Sequence, residues 1–173
     1  MKLKYKTCTS AVVLVCGEGG HTAEMQGFLS STKAVEQFSG CQVICLSDAA
    51  LQPTFVRKNW VFDYIGSPTY KHRSYFLLAK IVSHVLRTLW VCFSILCSHK
   101  VKLVVCTGPG VCVLPSLIFK LFGSSILFFE SVCLFTRRSK TGNIMKFYAD
   151  KIYVQNQTLL KLYPHGIFCG QLI

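Results

Sequence analysis

The sequence predicts an α/β protein built on a single Rossmann-like parallel sheet with helices on both faces. Short apolar segments alternate with longer helical segments along the 173 residues. Most of these segments lack polar alternation, which is typical of strands buried on both faces of a parallel sheet. Glycine or polar residues follow several of them, at the strand ends where such sheets bind ligands. We therefore expect one domain over residues 1–173, with its site at that edge.

The elements follow from the apolar segments and from the residues that interrupt them. Strands are predicted at Val12–Cys16, Gln42–Leu46, Val101–Thr107, Ser125–Phe129, Lys151–Gln155 and, briefly, Gly166–Gly170. Helices are predicted at Thr22–Lys33, Tyr75–Ser98, Val111–Phe122, Asn143–Asp150 and, briefly, Gln157–Leu162. Asn59–Ile65 is either a further strand or irregular, and Gly66–Arg73 has the residues of a loop. Pro115 is expected to begin or kink its helix.

Composition favours an anionic partner and a reducing compartment. The formal charge of +12 suits nucleic acid, anionic lipid or phosphorylated substrates, and composition does not choose among them. The ten cysteines form no C-x-x-C pair, and several lie inside apolar strands, where cysteine acts as a small hydrophobe. We therefore expect free thiols, no metal and no disulfides. The cysteines are at positions 8, 16, 41, 45, 92, 97, 106, 112, 133 and 169.

The first predicted strand ends in the turn Gly17-Glu18-Gly19-Gly20-His21-Thr22. Such a turn gathers backbone amides and a helix N-terminus at one point, which suits a phosphate group. The G-x-G-G spacing matches neither the dinucleotide fingerprint nor the P-loop, so no nucleotide cofactor is expected. His21 could donate to an anion, act as a base, or simply cap the helix.

Three further strand ends are predicted to meet this turn at the same edge. They are Thr107-Gly108-Pro109-Gly110, Glu130-Ser131 and Gln155-Asn156. Glu130 is the one acid placed at the end of a core strand. Its carboxylate could hold a sugar hydroxyl or a histidine, or it could cap a helix or simply lie in a loop.

The segment Tyr75–Ser98 is the longest apolar stretch, and its 24 residues could span a bilayer. Lys80, His84 and Arg87 would lie along one helix face. Permanent charges near the middle of a lone span cost several kcal/mol. The segment is therefore interpreted as an amphipathic helix, either lying on a membrane or packed on the sheet.

Read together, these motifs resemble one family along almost the whole chain and in the right order. Gly17–Met25 is similar to G-S-G-G-H-T-x-E-M, and Gly108–Pro115 to G-P-G-T-C-V-P. Glu130–Asn143 is similar to E-S-x-x-R-V followed by S-x-[ST]-G-K. Ala149–Asn156 is similar to A-D-x-F-x-V-Q-W, and Lys161–Gly170 to K-Y-P-x-A-x-Y-x-G. These are motifs of the asparagine-linked glycosylation protein fourteen family.

The resemblance implies a fold and a reaction. The fold is the N-terminal half of a two-Rossmann (GT-B type) glycosyltransferase. The implied function is that of the membrane-recruiting subunit of a two-chain UDP-GlcNAc transferase, which adds the second GlcNAc to dolichol-diphosphate-GlcNAc. The donor is bound by a separate small catalytic chain, which docks on the carboxyl-terminal segment, and this chain is expected to be inactive alone. The implied location is the cytosolic face of the endoplasmic reticulum membrane, with the nuclear envelope left open.

The expected site residues follow from the strand ends and the resemblance together. The acceptor diphosphate and sugar are expected at Gly17, Gly19, Gly20, His21, Thr22, Gly108, Pro109, Gly110, Glu130 and Ser131. His21 and Glu130 are the candidate catalytic residues, and Lys80, His84 and Arg87 the candidate membrane contacts.

The sequence also departs from the family pattern. Glu18 replaces a small residue, while Leu134 and Asn143 replace expected cations. The family's amino-terminal spanning helix is expected to be absent here, so the chain either carries that segment elsewhere or relies on the helix at Tyr75–Ser98. Two alternatives stay open: a peripheral membrane adaptor without active-site residues, and a basic α/β domain that binds nucleic acid.

Overall fold

The computed structural model describes residues 9–30, 36, 38–48, 52–65 and 77–173, with the backbone alone at 77–80. Within these ranges, seven parallel strands form one sheet in the order β3-β2-β1-β4-β5-β6-β7. They are β1 Thr9–Cys16, β2 Gln42–Ser47, β3 Val61–Tyr64, β4 His99–Thr107, β5 Ser125–Phe129, β6 Lys151–Val154 and β7 Ile167–Phe168. This confirms the predicted single parallel sheet. The strand order reverses between β1 and β4, where Rossmann folds bind their ligands.

Helices cover both faces of the sheet, as predicted. They are α1 Gly20–Ser30, α2 Leu77–Ser98, α3 Val113–Leu121 and α4 Lys140–Met145, with 3₁₀ turns at Gly110–Cys112 and Gln157–Lys161. On one face, Met25 of α1 packs with Phe38 against β1, β2 and β4. On the other face, α2, α3 and α4 bury Ile95, Phe119 and Met145. Since β1 packs against both layers of helices, the position of the turn that follows it is fixed by the core.

Several observed boundaries differ from the predicted ranges by a few residues, and the local structure accounts for them. Helix α1 begins at Gly20 rather than Thr22 because the Gly19 carbonyl already accepts the amides of Thr22 and Ala23. Helix α3 begins at Val113, before Pro115, because amides of the first helical turn have no partner within the helix and proline loses nothing there. The ambiguous segment Asn59–Ile65 contains the strand β3.

Helix α4 differs most from its predicted range of Asn143–Asp150. It begins at Lys140 because Ser139 caps it, with the hydroxyl accepting from the Gly142 amide at 2.7 Å. It ends at Met145, and Asp150 already pairs with β5 through Ile126. The predicted loop at Gly66–Arg73 and the proposed start of α2 at Tyr75 lie outside the described residues.

Candidate functional site

Two glycine turns meet at the carboxyl ends of β1 and β4. Gly17 follows β1, and a Cβ there would overlap the ring of Pro109 in the turn after β4. Gly108 has a φ of +109°, and a Cβ there would overlap the ring of His21. Both positions therefore require glycine, which lets the turns and the imidazole pack together. The Thr107 hydroxyl donates to the His21 carbonyl at 2.9 Å and fastens the contact.

The N-terminus of α1 opens toward solvent beside this contact. Gly19 takes a left-handed φ of +76°, and the Thr22 hydroxyl donates to the Gly17 carbonyl at 2.8 Å. The Glu18 amide donates at 2.8 Å to Asp48, which follows β2, so Glu130 is not the one acid at the end of a core strand. No described residue accepts from the amides of Gly20 and His21. These amides can bind an anion without breaking a bond that the fold uses.

His21 is paired with the buried Glu24, one helical turn further along α1. Glu24 is 1% exposed, and its Oε2 lies 2.9 Å from His21 Nδ1. Its Oε1 accepts from the Val132 amide at 2.9 Å, the Ser131 hydroxyl at 3.2 Å and the Gln155 side-chain amide at 3.3 Å. Burial by itself raises the pKa of Glu24, but the bonds from His21 and Val132 outweigh it and hold the pKa below 4.5. The carboxylate is therefore ionised at neutral pH.

Glu130 points into the protein rather than into the open edge. It is 1% exposed and accepts from Tyr163 Oη at 2.5 Å and from the Ser139 amide at 3.1 Å. Burial and the adjacent Glu130 raise the pKa of Tyr163. A Cβ on Gly142 would overlap both Tyr163 Oη and the Glu130 carboxylate. In this arrangement Glu130 joins the segment after β5 to α4, and any contact with a sugar would require it to move.

The structure thus brings together most of the predicted acceptor residues. The turn after β1, the turn after β4 and Ser131 meet around His21 and Glu24. Sequence reasoning missed Glu24 as a site residue. Its signal was the H-x-x-E spacing from His21, which places both side chains on one face of a helix. Gln155, at the end of β6, was recognised as part of a strand end but not as the partner of Glu24.

The predicted membrane contacts on α2 are engaged with the sheet. His84 Nδ1 lies 2.8 Å from the Ile65 carbonyl, and Arg87 Nε donates to the Tyr64 carbonyl at 2.8 Å. The Arg87 guanidinium also lies over the Tyr64 ring. The side chain of Lys80 is outside the described part of the chain. By length and composition, Ile81–Ser98 is the one described helix that could cross a membrane.

A broad apolar surface lies on the outer side of α2, α3 and α4. We define the outer face as the exposed residues Val82, Leu86, Trp90, Phe93, Leu117, Leu121, Phe122, Ile144 and Phe147. The rings of Phe93 and Phe122 touch edge to face, with centroids 6.1 Å apart, so the exposed faces of α2 and α3 are continuous. Cations accompany this surface: Lys100 lines the groove beside Phe93 and Phe122, and Lys146 Nζ lies 4.8 Å from the Phe147 ring centroid.

No cluster of three or more histidine, cysteine or acidic side chains suited to a metal occurs among the described residues. The cysteines in the same ranges are free thiols.

The sheet order and the glycine turns match one Rossmann half of the two-Rossmann (GT-B type) fold. The crystal structure of Acinetobacter baumannii MurG has this fold and aligns with a TM-score of 0.58 at 17% identity. The alignment covers 94% of this chain and 44% of MurG, so the chain spans less than half of that protein.

Sequence comparison assigns the family. The model of the family described as oligosaccharide biosynthesis protein Alg14 like matches residues 12–172, and the chain belongs to this family. UDP-N-acetylglucosamine transferase subunit ALG14 of Rattus norvegicus is 26% identical over 180 residues, covering 94% of this chain and 82% of the relative. The protein of the same name from Homo sapiens is 23% identical, and the alignment covers 94% of this chain and 83% of the human protein. The one from Yarrowia lipolytica is 26% identical, and the alignment covers 94% of this chain and 81% of the relative.

Proposed function

We propose that this chain is the acceptor-side, membrane-recruiting subunit of a two-chain UDP-GlcNAc transferase that extends dolichol-diphosphate-GlcNAc. Family membership supports the reaction, because the relatives are named as subunits of a UDP-N-acetylglucosamine transferase. The observation that carries the assignment to the acceptor side is the meeting of two glycine turns around His21. That edge offers amides for a diphosphate and an imidazole for a hydroxyl.

The diphosphate is assigned to the open start of α1. The free amides of Gly20 and His21 and the positive end of the helix dipole all favour a negative charge there. The net charge of +12 attracts the same group from a distance. The Glu18 amide is tied to Asp48, and its side chain is exposed, so its carboxylate can stay away from the phosphates.

Donor binding is assigned to a separate chain docked on the carboxyl-terminal segment. This segment forms the edge strand β7 and exposes Ile167, Phe168 and Ile173. A strand at a sheet edge has unpaired backbone groups on one side and readily accepts a partner. The Leu172 amide donates to Gln155 at 2.9 Å, so the segment is anchored next to the site that the partner must reach.

Membrane contact is assigned to the outer face, at the cytosolic side of the endoplasmic reticulum. Val91, Cys92 and Ile95 of α2 are buried against the sheet. The helix therefore uses one side for the fold and offers the other to lipid, as a peripheral amphipathic helix does. Lys100 and Lys146 add attraction to anionic headgroups, which is worth about 1 kcal/mol per cation near such a surface.

Reconstitution tests the reaction. Purified chain, a UDP-GlcNAc-binding partner chain and a GlcNAc-diphospholipid are combined, and transfer of labelled GlcNAc is measured. We expect no transfer from this chain alone and transfer from the mixture. Transfer by this chain without the partner would refute the division of labour.

A matched pair of variants separates the acceptor role from that of a simple adaptor. A side chain at Gly20 meets nothing within 4 Å, so Gly20→Asp and Gly20→Asn should both fold. The aspartate places a negative charge beside the diphosphate, whereas the asparagine has the same shape without the charge. We expect a raised KM for the acceptor in Gly20→Asp only. Equal turnover in the two variants would favour the adaptor without active-site residues.

A further inference from the structure

We propose that Glu24 is the positioning residue for His21: it holds the imidazole proton on Nδ1 and leaves Nε2 free to accept a proton from the acceptor hydroxyl. The inference rests on the proposed function, because glycosyl transfer supplies that hydroxyl. It concerns a residue pair that lies wholly within this chain, so part of it can be tested without transfer.

The geometry leaves the ring little freedom. The ring packs against Gly108, and Nδ1 faces the Glu24 carboxylate at 2.9 Å. The side chain of His21 is 27% exposed, while that of Glu24 is 1% exposed. No described residue bonds Nε2. One ring nitrogen is therefore committed to a buried partner, while the other has no competing bond.

The surroundings of Glu24 decide where the proton lies. Its Oε1 already accepts from Val132, Ser131 and Gln155, and a carboxylate has no proton of its own to donate. The group facing Oε2 must therefore be a donor, which places the hydrogen on Nδ1. In a neutral imidazole the other nitrogen then carries a lone pair.

In the neutral ring, this arrangement assigns His21 the role of a base rather than that of a donor to an anion. A lone pair on Nε2 cannot donate to a phosphate oxygen, so phosphate contact is left to the backbone amides. It can take the proton of the acceptor hydroxyl while that oxygen bonds to the anomeric carbon of UDP-GlcNAc. The bond from this carbon to the diphosphate breaks, and UDP leaves with the electron pair. The imidazolium that results is stabilised by the negative charge of Glu24.

The first test measures the tautomer directly. Nitrogen-15 NMR of the histidine rings is recorded on the isolated full chain in neutral buffer, with His21→Gln identifying the His21 signals. We expect the proton on Nδ1 in the unmodified chain. In Glu24→Gln the side-chain oxygen of the glutamine still accepts from the Val132 amide, so its NH₂ group faces Nδ1 of His21. Because an NH₂ group can only donate, Nδ1 must then be the acceptor, and we expect the ring proton on Nε2. A proton on Nε2 in the unmodified chain, or protons on both nitrogens, would overturn the proposal whether or not the variant folds.

The second test is kinetic and uses the assembled two-chain enzyme. Glu24→Gln should lower kcat by on the order of 10²- to 10⁴-fold, the usual contribution of a positioned base, with little change in the acceptor KM. In a His21→Ala background the same change should cost no more than about 3-fold, because residues that act as a unit are not additive. If the kcat losses of Glu24→Gln and His21→Ala multiplied in the double variant, the two residues would act independently, and the proposal would be wrong.

Controls separate this result from folding and from the proposed function. Glu36→Gln makes the same chemical change on the exposed surface and should leave kcat unchanged. Thermal melting of each variant shows whether it is folded. Absence of transfer by the unmodified complex would remove the proposed function, while the tautomer measurement would still report on Glu24.

Discussion

The outer face yields a quantitative prediction for membrane binding. Leu121 and Phe147 are 78% and 80% exposed, so replacing both with serine removes apolar surface without disturbing the core. Full burial of a leucine or phenylalanine side chain is worth about 1.5–3 kcal/mol. Scaled by their exposed fractions, the two side chains together contribute roughly 2.4–4.7 kcal/mol to lipid contact. Since a tenfold change corresponds to about 1.4 kcal/mol, the double variant should partition roughly 50- to 2,500-fold less onto vesicles.

Vesicle sedimentation of the isolated chain measures this change. Neutral vesicles report the apolar contribution, and vesicles with anionic lipid add the contribution of the lysines, which salt screens. Ile173→Ser is the matched control, because Ile173 is 58% exposed but lies outside the outer face. Partitioning of the double variant within about 3-fold of the unmodified chain would refute the assignment of this surface to lipid.

Three further predictions follow from the site and its supports. Gly108→Ala forces a side chain into a left-handed conformation and against His21, so thermal melting should show a loss of about 1–3 kcal/mol, and turnover should fall with it. Ser139→Ala removes the cap of α4, and urea unfolding should show a loss of about 1 kcal/mol, with retained stability contradicting the capping role. The pKa of Glu24 in the folded state is lower than its ordinary value of 4.5, so the ionised carboxylate stabilises the fold. This contribution is fully present above pH 4.5 and is lost as the pH falls from 4.5 toward the pKa of the folded state. Urea unfolding of the unmodified chain and Glu24→Gln should therefore differ at neutral pH and converge in acid; a constant difference would contradict the lowered pKa.

The strands could be predicted from sequence because their signal is local. Val12–Cys16 is a continuous apolar run, and with Ala11 it forms the buried part of β1. Boundaries set by hydrogen bonds were harder to predict. Helix α4 begins where the Ser139 hydroxyl accepts from the Gly142 amide. The local sequence of serine, lysine and threonine in a basic segment is equally typical of a loop, so it does not predict this start.

The site was predictable only in part, for a related reason. Parallel strands end at one edge, so the meeting of the turns after β1 and β4 followed from the strand assignment alone. The direction of a side chain does not follow in that way. Glu130 stands at the end of β5, yet its carboxylate turns inward to Tyr163. The bond between Gln155 and Glu24 joins residues 131 positions apart, and no local pattern encodes it.

The network around Glu24 also argues that this edge is built for more than stability. A buried carboxylate loses its hydration, and replacing a buried ion pair with apolar groups is often neutral or stabilising. Glu24 keeps its charge only because donors from His21, the segment after β5 and the end of β6 all converge on it. The bonds from Val132, Ser131 and Gln155 join α1 to the strand ends and would serve any folded domain, whereas the bond to the partly exposed His21 is explained by the proposed positioning role. The proposed positioning of His21 therefore gives this buried charge a role that apolar packing could not fill.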